Sequence, residues 1–274
     1  MSRLRAWFLA PSWLLAVATV AIPFAIVLAY SALSRGAYGG VELPWTSENY
    51  QRLFDLLYGA ILWRSVWISA VATVLCVVLA FPLALFIARS PRKNLYLSLV
   101  ILPFWTSFLI RLYAWMFLLR DTGLINTVLQ WTGWIREPLP LLYNDGAVIL
   151  GLVYGYLPFA VLPLYATIEK LDPHLLEAAA DLGARPFRAL VEILLPLSAE
   201  GIWASSILVF VPCLGTYLTS DLLGGSKTIL IGNLIQNQFT ASRDWPFGAA
   251  LSMALLAMAG CLLWVARKRG QELL

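Results

Sequence analysis

Six long stretches that carry almost no charge constrain this chain more than any other feature. Five of them, of 20 to 29 residues, contain no Asp, Glu, Lys or Arg, and the sixth contains one arginine, Arg111. A helix of about 20 apolar residues spans a bilayer, where every backbone N–H and C=O must be bonded within the protein. The sequence therefore predicts an all-α integral membrane protein with six transmembrane helices, built as a single transmembrane domain over residues 1–274. The predicted spans are 6–34, 65–88, 94–119, 146–168, 201–220 and 245–266.

The composition excludes a water-soluble globular protein. Hydrophobic residues make up 61% of the chain and charged residues only 12%, compared with about 25% charged residues in soluble domains. The Lys and Arg residues also indicate an orientation, because cytoplasmic loops are enriched in them. Eleven of the nineteen lie on the side that holds both termini. We therefore expect both termini to be cytoplasmic.

Several classes of function need residues that this sequence does not contain. The chain has a single histidine, His174, and its three cysteines, Cys76, Cys213 and Cys261, are far apart, so no metal-ligand spacing is present. The sequence lacks the Gly-x-x-x-x-Gly-Lys-Ser/Thr pattern of a phosphate-binding loop, and no basic stripe with interleaved aromatic residues indicates nucleic-acid binding. We expect no catalytic residue, no metal and no cofactor in this chain, which is not an enzyme; any ATP is hydrolysed by another protein.

The long cytoplasmic loop, residues 169–200, is patterned like two short amphipathic helices. Asp172 followed by Pro173 is typical of a helix start, and Gly183 is typical of a helix end. Apolar residues recur every three or four positions before Gly183 and again after Pro186. They are Leu175, Leu176, Ala179 and Leu182, then Phe187, Leu190, Val191 and Leu194. The loop therefore predicts a compact pair of helices at the cytoplasmic ends of the spans, on which a partner docks.

The same loop carries a spaced motif, whose fixed positions are Glu177-Ala178-Ala179, Gly183 and Ile193-Leu194-Leu195-Pro196. This motif resembles the EAA loop of ATP-binding-cassette (ABC) importer permeases. The resemblance implies the type I ABC importer permease fold, with a first loop helix that couples the permease to an ATPase subunit. It gives that coupling role to Glu177, Ala178, Ala179, Gly183, Ile193, Leu195 and Pro196. The alternative is an amphipathic linker that lies on the membrane surface.

Further segments carry a second resemblance. They are Phe104–Ser107 with Leu109–Arg111, Ile168–Leu171, Ser220–Gly225, and Ile231–Asn233 with Arg243–Gly248. These segments are similar to the spermidine/putrescine permease group, and most of all to the first of its two permease subunits. The resemblance implies a polyamine importer of the bacterial inner membrane, in which ATP and Mg²⁺ bind to partner ATPase subunits and not to this chain.

The resemblance also implies the partners, which are a second, similar permease subunit, two ATPase subunits, an external substrate-binding protein and membrane lipid. The outer segments 35–64 and 227–244 are long enough for short surface helices and are expected to receive the binding protein. One alternative is an ABC permease for another small solute. An ion-coupled secondary carrier is disfavoured because Arg111 is the only Asp, Glu, Lys or Arg within the spans, and a membrane enzyme because the spans hold no carboxylate pair or nucleophile with a base.

Candidate side chains for the cargo path follow from the positive charge of a polyamine. Aromatic faces and carboxylates attract ammonium groups, and the candidates are Asp221, Tyr217, Trp105, Tyr113 and Trp115. For Asp221 the alternative is a solvated acid at a helix end, and for the aromatic residues it is ordinary packing or interfacial anchoring. Arg111 would lie about 25 Å along a straight third span at roughly 1.5 Å per residue. We therefore expect it at the outer interface, as an anchor.

Overall fold

The computed structural model is mostly helical and describes residues 2–172 and 174–272, with side chains at residue 11 and within 13–172 and 174–264. The α-helices are α1 Ser2–Ser31, α2 Glu48–Arg52, α3 Leu56–Arg89, α4 Lys93–Ile101, α5 Phe108–Leu119, α6 Leu124–Trp131, α7 Asp145–Ile168, α8 His174–Asp181, α9 Pro186–Ala189, α10 Leu195–Leu197, α11 Ala199–Gly215, α12 Ile231–Phe239 and α13 Trp245–Glu272. The other elements are the strands β1 Leu33–Arg35 and β2 Val41–Trp45, the 3₁₀ turns Leu102–Trp105 and Gly225–Lys227, and the π-helical segments Leu190–Leu194 and Ser220–Gly224.

Within the described residues, the β-strands are the element that the all-α prediction missed, and they form the hairpin of β1 and β2. The two strands pair antiparallel, with Leu33 opposite Trp45 and Arg35 opposite Val41. Strands of three and five residues are too short for an alternating pattern to stand out from the sequence. The outer segment that was expected to form surface helices is therefore a hairpin followed by the short helix α2.

One compact unit contains the residues up to Ile61 together with Leu234–Gly260. Within this unit, Asp244 is buried and makes two polar contacts. One carboxylate oxygen of Asp244 accepts the N–H of Phe247 at 3.2 Å and so caps the start of α13. The other oxygen binds Arg52 at 2.9 Å, and the Arg52 guanidinium lies 3.9 Å from the centre of the Phe247 ring. A single carboxylate thus holds α2 to the first turn of α13.

The other compact unit contains Leu62–Asn233 and the residues from Cys261 onward, and it holds the main apolar core. Helix α3 contributes a stripe of small residues spaced four apart, all fully buried: Ala72, Cys76, Ala80 and Ala84. Small side chains let helix backbones approach closely in a membrane, and the Cys76 sulfur lies 3.6 Å from the backbone oxygen of Val153 on α7. Helix α7 also packs along α11, where the Ser205 hydroxyl donates to the backbone oxygen of Ala160 at 2.8 Å.

The third charge-poor stretch forms a bent pair of helices, and no single straight helix covers 94–119. Helix α4 runs into the 3₁₀ turn that contains Pro103, and Thr106 and Ser107 then adopt extended backbone, with ψ of 149° and 134°, before α5 begins. The two helical parts meet at 86°. The Pro103 backbone oxygen at the end of the turn accepts twice, from the Thr106 N–H at 3.3 Å and from the Thr106 hydroxyl at 2.6 Å.

The fifth charge-poor stretch is longer than the helix that it contains. Helix α11 ends at Gly215, and Thr216 is extended, with ψ of 137°. The chain that follows is held by the buried side chain of Asn233, whose amide oxygen accepts from the Ser220 hydroxyl and from the Leu230 N–H. The Asn233 amide group donates to the backbone oxygen of Tyr217 at 3.2 Å. The predicted span 201–220 therefore extends five residues past the end of the helix.

Four helical segments are long and apolar enough to cross a membrane, namely Trp13–Ser31, Leu56–Arg89, Asp145–Ile168 and Trp245–Trp264. Two bent pairs pass the same test jointly, namely Lys93–Trp105 with Phe108–Trp131, and Pro186–Leu197 with Ala199–Gly215, the second bent by 70°. By length and composition the described residues thus provide four spans, and six if each bent pair counts as one. This is the helix inventory of a multi-pass membrane protein.

The contact between α7 and α11 depends on Gly201, and replacing it by Ala tests that contact. A Cβ at this position would lie 2.7 Å from the Thr167 hydroxyl oxygen and 3.3 Å from the backbone oxygen of Pro163. We expect Gly201→Ala to lower the free energy of unfolding by about 1–3 kcal/mol, as overpacking does. The measurement is the thermal midpoint of the purified protein in detergent. Gly215→Ala, on the same helix with nothing within 4 Å of the added carbon, is the control, and an equal midpoint in both variants would contradict the prediction.

Candidate functional site

The loop 169–200 contains the two helical segments that the sequence predicts. Helix α8 covers His174–Asp181, and the predicted start at Pro173 lies outside the described residues. The side-chain oxygen of Asp172 accepts the N–H of His174 at 3.0 Å, as expected for an acid placed before a helix.

Gly183 ends α8 as predicted. Its φ is +81°, a left-handed conformation that favours glycine. The Gly183 N–H donates to the backbone oxygen of Ala180 at 2.9 Å, and the Ala184 N–H donates to that of Ala179 at 2.9 Å. These two bonds satisfy the last carbonyls of the helix, and the chain then turns into the second helical segment.

The second segment is continuous from Pro186 to Leu197, with π-helical turns in its middle. Leu194 is buried in the main core, whereas Phe187 has 75% of its surface exposed. Among the motif positions, Ile193 and Leu195 are half-buried and Pro196 is exposed. The apolar face predicted from the sequence is therefore only partly used within the chain, and Phe187 remains available to a partner.

The coupling candidates of α8 divide into exposed and buried side chains. Glu177 and Ala178 are exposed, and Leu182 just beyond the helix has 89% of its surface exposed. Ala179 is buried at 5% exposure, so its side chain packs against the loop itself. The exposed surface of α8 is thus built around Glu177 and Ala178, with Leu182 at its end.

Glu177 already has one partner within the chain. Its carboxylate lies 2.9 Å from Nδ1 of His174, one turn earlier on the same exposed surface. This hydrogen bond raises the pKa of His174 above its ordinary value. The pair therefore strengthens the folded loop below about pH 6.5, the ordinary pKa of histidine, and that contribution is lost as the pH rises through the raised pKa.

An ion pair that the sequence analysis did not predict fixes the start of the loop. Lys93, at the start of α4, lies 2.5 Å from the carboxylate of Glu169, directly after α7. The hydrogen bond from Lys93 holds the pKa of Glu169 below its usual range. A cavity of about 650 Å³ lies beside Glu169, lined also by Arg89, Leu176 and Glu177. The sequence could have pointed to Glu169, because this residue belongs to a segment that is similar to the permease group.

The candidates for the cargo path lie on two neighbouring parts of the fold. Tyr113 and Trp115 are on α5, which packs against the π-helical segment that carries Asp221. Asp221 is exposed, and the backbone oxygen of Tyr217 is held by Asn233. Trp115 is half-buried and meets the Tyr154 ring edge-on, with ring centroids 5.5 Å apart.

Trp105, the remaining path candidate, lies directly before the 86° bend and has 85% of its surface exposed. Two groups therefore emerge from the five candidates. Asp221 and Tyr217 lie on the irregular chain after α11, and the three aromatic residues lie on either side of the bend between α4 and α5. The sequence did not reveal the role of Asn233 in holding the first group, although this residue belongs to a segment that carries the family resemblance.

The distance of about 25 Å expected for Arg111 assumed a straight third span at roughly 1.5 Å per residue, and the 86° bend removes the basis of that distance. The Arg111 guanidinium lies 4.7 Å from the centre of the Phe104 ring and 5.5 Å from that of Phe108. The Phe104 ring packs edge-on against Phe159 of α7, with centroids 5.2 Å apart. The Arg111 guanidinium is thus held against two aromatic rings, one of which packs on α7.

Comparison with known proteins identifies the family. Residues 80–266 match the family described as "Binding-protein-dependent transport system inner membrane component". The chain belongs to this family. The match begins within α3 and ends within α13, so it includes both bends, the whole loop 169–200 and the irregular chain after α11.

Within the family, the chain is similar to several curated permeases. It is 45% identical to the spermidine/putrescine transport system permease protein PotB of Escherichia coli K12, over 92% of both chains. It is 44% identical to the protein of the same name from Haemophilus influenzae, over 93% of this chain and 89% of that one. The inner membrane ABC transporter permease protein YdcU of Escherichia coli K12 is 32% identical, over 82% of this chain and 76% of that one.

Solved structures show the same fold at lower sequence identity. A chain from the crystal structure of a bacterial ABC transporter that imports the acidic polysaccharide alginate superposes with a TM-score of 0.75. The match covers 98% of this chain and 96% of that chain at 18% identity. The same transporter in complex with an alginate pentasaccharide-bound periplasmic protein also gives a TM-score of 0.75. The fold is therefore that of an ABC transporter membrane chain.

The end of α8 provides a direct test of the loop geometry. We expect Gly183→Ala to speed amide hydrogen exchange about tenfold in peptides that cover residues 174–184, because a left-handed conformation costs an ordinary residue roughly 1–2 kcal/mol. Nothing lies within 4 Å of the added carbon, so crowding does not contribute. Gly183→Asn is the matched control and should exchange more slowly than the Ala variant, since Asn tolerates this conformation. Wild-type exchange in the Ala variant would contradict the assigned geometry.

Proposed function

We propose that this chain is the transmembrane permease subunit of an ATP-driven ABC importer for the polyamines spermidine and putrescine. The observation that carries the proposal is the 45% identity, over 92% of both chains, to the spermidine/putrescine permease protein PotB of Escherichia coli. The chain forms half of the translocation path and does not hydrolyse ATP itself. ATP and Mg²⁺ bind to partner ATPase subunits.

In this proposal the chain crosses the bacterial inner membrane six times. The first bent pair, Lys93–Trp105 with Phe108–Trp131, provides one span, and α11 provides the spanning part of the second pair. The bent pairs and the four uninterrupted segments support that number. Both termini lie in the cytoplasm, which agrees with the eleven of nineteen Lys and Arg residues placed on that side. The loop 169–200 is then cytoplasmic, and the hairpin of β1 and β2 lies outside.

The loop 169–200 couples this chain to one of two ATPase subunits. Support comes from the exposed surface around Glu177 and Ala178 and from Leu182 and Phe187, which are 89% and 75% exposed. Apolar side chains with that much exposure at the end of a membrane bundle are typical of a protein interface. Gly183, Ile193, Leu195 and Pro196 shape the turn and the return to the membrane, and Ala179 packs inside the loop.

ATP on the partner ATPase subunits supplies the energy for transport, and this chain transmits it as a conformational change. ATP binding closes the ATPase dimer and draws together the two coupling loops, one from each permease, so that the bundle opens outward and accepts cargo. Hydrolysis resets it. The energy enters as a difference in stability between two packings of the helices. The Lys93–Glu169 ion pair supports this route, because it ties the start of the coupling loop to α4.

The cargo path attracts polyamines weakly and leaves tight binding to a separate external protein. No Asp or Glu lies within a predicted span, so a deeply bound polycation would find no carboxylate of this chain. The exposed carboxylate of Asp221, with Tyr217 nearby in sequence, meets cargo at the outer end, and Trp105, Tyr113 and Trp115 offer aromatic faces. The alginate transporter was solved with its periplasmic protein bound, which supports such a partner here, docked on the outer segments 35–64 and 227–244.

ATP-dependent uptake of labelled spermidine into proteoliposomes tests the proposal. The vesicles contain this chain, the second permease, both ATPase subunits and the external binding protein, and unlabelled putrescine is the competitor. We expect uptake that requires ATP and falls when putrescine is added. ATPase activity stimulated by the binding protein without uptake would indicate a permease for another small solute. Uptake without ATP would indicate an ion-coupled carrier.

Charge reversal at Glu177 tests the coupling role. We expect Glu177→Lys to reduce ATP-dependent uptake at least tenfold while the amount of inserted protein stays unchanged, because an exposed residue at a protein interface affects binding more than folding. Glu137→Lys is the matched control, since Glu137 is also exposed but lies between α6 and α7, outside the loop 169–200 and outside the outer segments 35–64 and 227–244. Wild-type uptake by Glu177→Lys would remove Glu177 from the coupling surface.

The carboxylate of Asp221 should discriminate between cargoes by charge. We expect Asp221→Asn to weaken uptake of spermidine, a triamine, more than that of putrescine, a diamine, because a lost carboxylate matters more to the more highly charged cation. The measurement is the ratio of KM values for the two polyamines in the reconstituted complex. Equal changes for both polyamines would argue against a direct contact with charge.

A further inference from the structure

Asp221 presents an exposed carboxylate from a stretch of backbone that is otherwise mostly buried. Its side chain makes no hydrogen bond or ion pair within the part of the chain that the structure describes. The neighbouring residues Thr219, Ser220 and Leu223 are buried. A Cβ added to Gly151 of α7 would lie 2.9 Å from Cγ2 of Thr219, so this stretch packs closely on α7. Both oxygens of the Asp221 carboxylate are therefore available to a ligand, on a backbone that is fixed.

The backbone oxygen of Tyr217 connects Asp221 to its surroundings. It accepts from the Asp221 N–H at 2.9 Å, from the Ser220 hydroxyl at 3.1 Å and from the Asn233 amide group at 3.2 Å. Thr216, one residue earlier, has extended backbone and lies outside any helix. Because no helix runs through this point, these hydrogen bonds set the position of the turn that carries Asp221.

The Asn233 side chain is buried, at 6% exposure, and uses both halves of its amide. Besides the bond to Tyr217, its amide oxygen accepts from the Ser220 hydroxyl and from the Leu230 N–H. A buried amide costs free energy unless it is hydrogen-bonded, and here the bonds reach chain on both sides of Asp221. Asn233 therefore joins the two ends of the segment that carries the carboxylate.

The position of Asn233 is itself fixed by its neighbours in the first turn of α12. The Ile231 N–H donates to the buried Ser65 hydroxyl of α3 at 2.8 Å. A Cβ added to Gly232 would lie 2.6 Å from the backbone oxygen of Thr216, so glycine lets this turn lie directly against the chain after α11. The amide of Asn233 is thus anchored to α3 and lies beside the interruption that it bridges.

We propose that Asn233 is a positioning residue for cargo, which fixes the Asp221 carboxylate through the Tyr217 carbonyl and does not itself touch the cargo. The inference rests on the proposed function, in which Asp221 meets a polyamine. A binding group that is in place before its ligand arrives loses less conformational entropy on binding. Loss of the Asn233 hydrogen bonds frees the turn, so the carboxylate is no longer in place when an ammonium group arrives.

The uptake kinetics of Asn233→Leu in the reconstituted complex test the inference. Leucine removes all three side-chain hydrogen bonds of Asn233 and has a similar size. We expect the KM for spermidine to rise about tenfold, the KM for putrescine to rise less, and the maximal rate to stay within about twofold of wild type. This is the charge-dependent pattern expected of Asp221→Asn. A fall in the maximal rate with unchanged KM values would overturn the inference.

Asn126→Leu is the matched control, because Asn126 is also a buried asparagine with three side-chain hydrogen bonds to the backbone. These bonds join Asn126 to Arg120 and Leu139, and none of the path candidates lies on that connection. We expect Asn126→Leu to lower the amount of folded protein about as much as Asn233→Leu does and to leave both KM values unchanged. Equal KM changes in the two variants would indicate a general loss of packing and would reject the positioning role.

A double variant shows whether Asn233 acts through Asp221. In the Asp221→Asn background we expect Asn233→Leu to raise the KM for spermidine by less than about twofold, because no carboxylate remains to be positioned. A further rise of about tenfold would overturn the inference.

Ser220→Ala decides the question if the Asn233→Leu complex does not assemble. This change removes one hydroxyl from the same network and should raise the KM for spermidine about threefold. A wild-type KM in Ser220→Ala would then overturn the inference.

Hydrogen exchange separates this inference from the proposed function, because it does not depend on cargo. Peptides that cover residues 216–224 should exchange about tenfold faster in Asn233→Leu than in wild type, and unchanged exchange would overturn the inference. Faster exchange in a complex that imports no polyamine would support the role of Asn233 in fixing this segment and reject the proposed cargo. Wild-type KM values in Asn233→Leu with normal import would reject the positioning role and keep the proposed function.

Discussion

The absence of water in the hydrocarbon layer is the constraint on which the rest of this structure depends. Each interruption of a helix there frees backbone groups that only the protein can bond. At the first bend the Thr106 hydroxyl bonds the backbone oxygen of Pro103. After α11 the buried amide of Asn233 bonds the backbone of Tyr217 and Leu230 and the hydroxyl of Ser220. At both places a side chain bonds the backbone beside an interrupted helix, and the path candidates Trp105 and Tyr217 lie there.

The loop 169–200 follows a different physical rule, because in the proposed function it works in water against an ATPase subunit. The helices of this loop are short, and two backbone hydrogen bonds close the end of α8 at Gly183. The large apolar side chains of Leu182 and Phe187 stay exposed. Lys93 and Glu169 tie the start of the loop to α4. A displacement of the loop therefore acts on the bent third span as well as on α7. In the proposed transport cycle this connection carries the movement of the ATPase subunits into the cargo path.

The sequence predicted what hydropathy and local motifs determine. The runs 65–88 and 146–168 match α3 and α7 because their apolar residues are uninterrupted, and Gly183 ends α8 because glycine adopts a left-handed conformation at little cost. The motif of the loop predicted the family that the comparisons show. A charge-free run, however, indicates only that the chain is surrounded by lipid, and it does not show where a helix bends or ends. The bend after Trp105 and the end of α11 at Gly215 were therefore missed. The distance estimate for Arg111 assumed a straight span for the same reason.

The stripe of small residues along α3 has a mechanical consequence. Large side chains interlock across a helix contact and resist movement along it, whereas Ala72, Cys76, Ala80 and Ala84 present a nearly smooth strip, with Cys76 against the backbone of α7. Helices in contact over such a strip slide past one another by small amounts without changing the rotamers of their side chains. Shear of this kind keeps the core dry while the ends of the helices move.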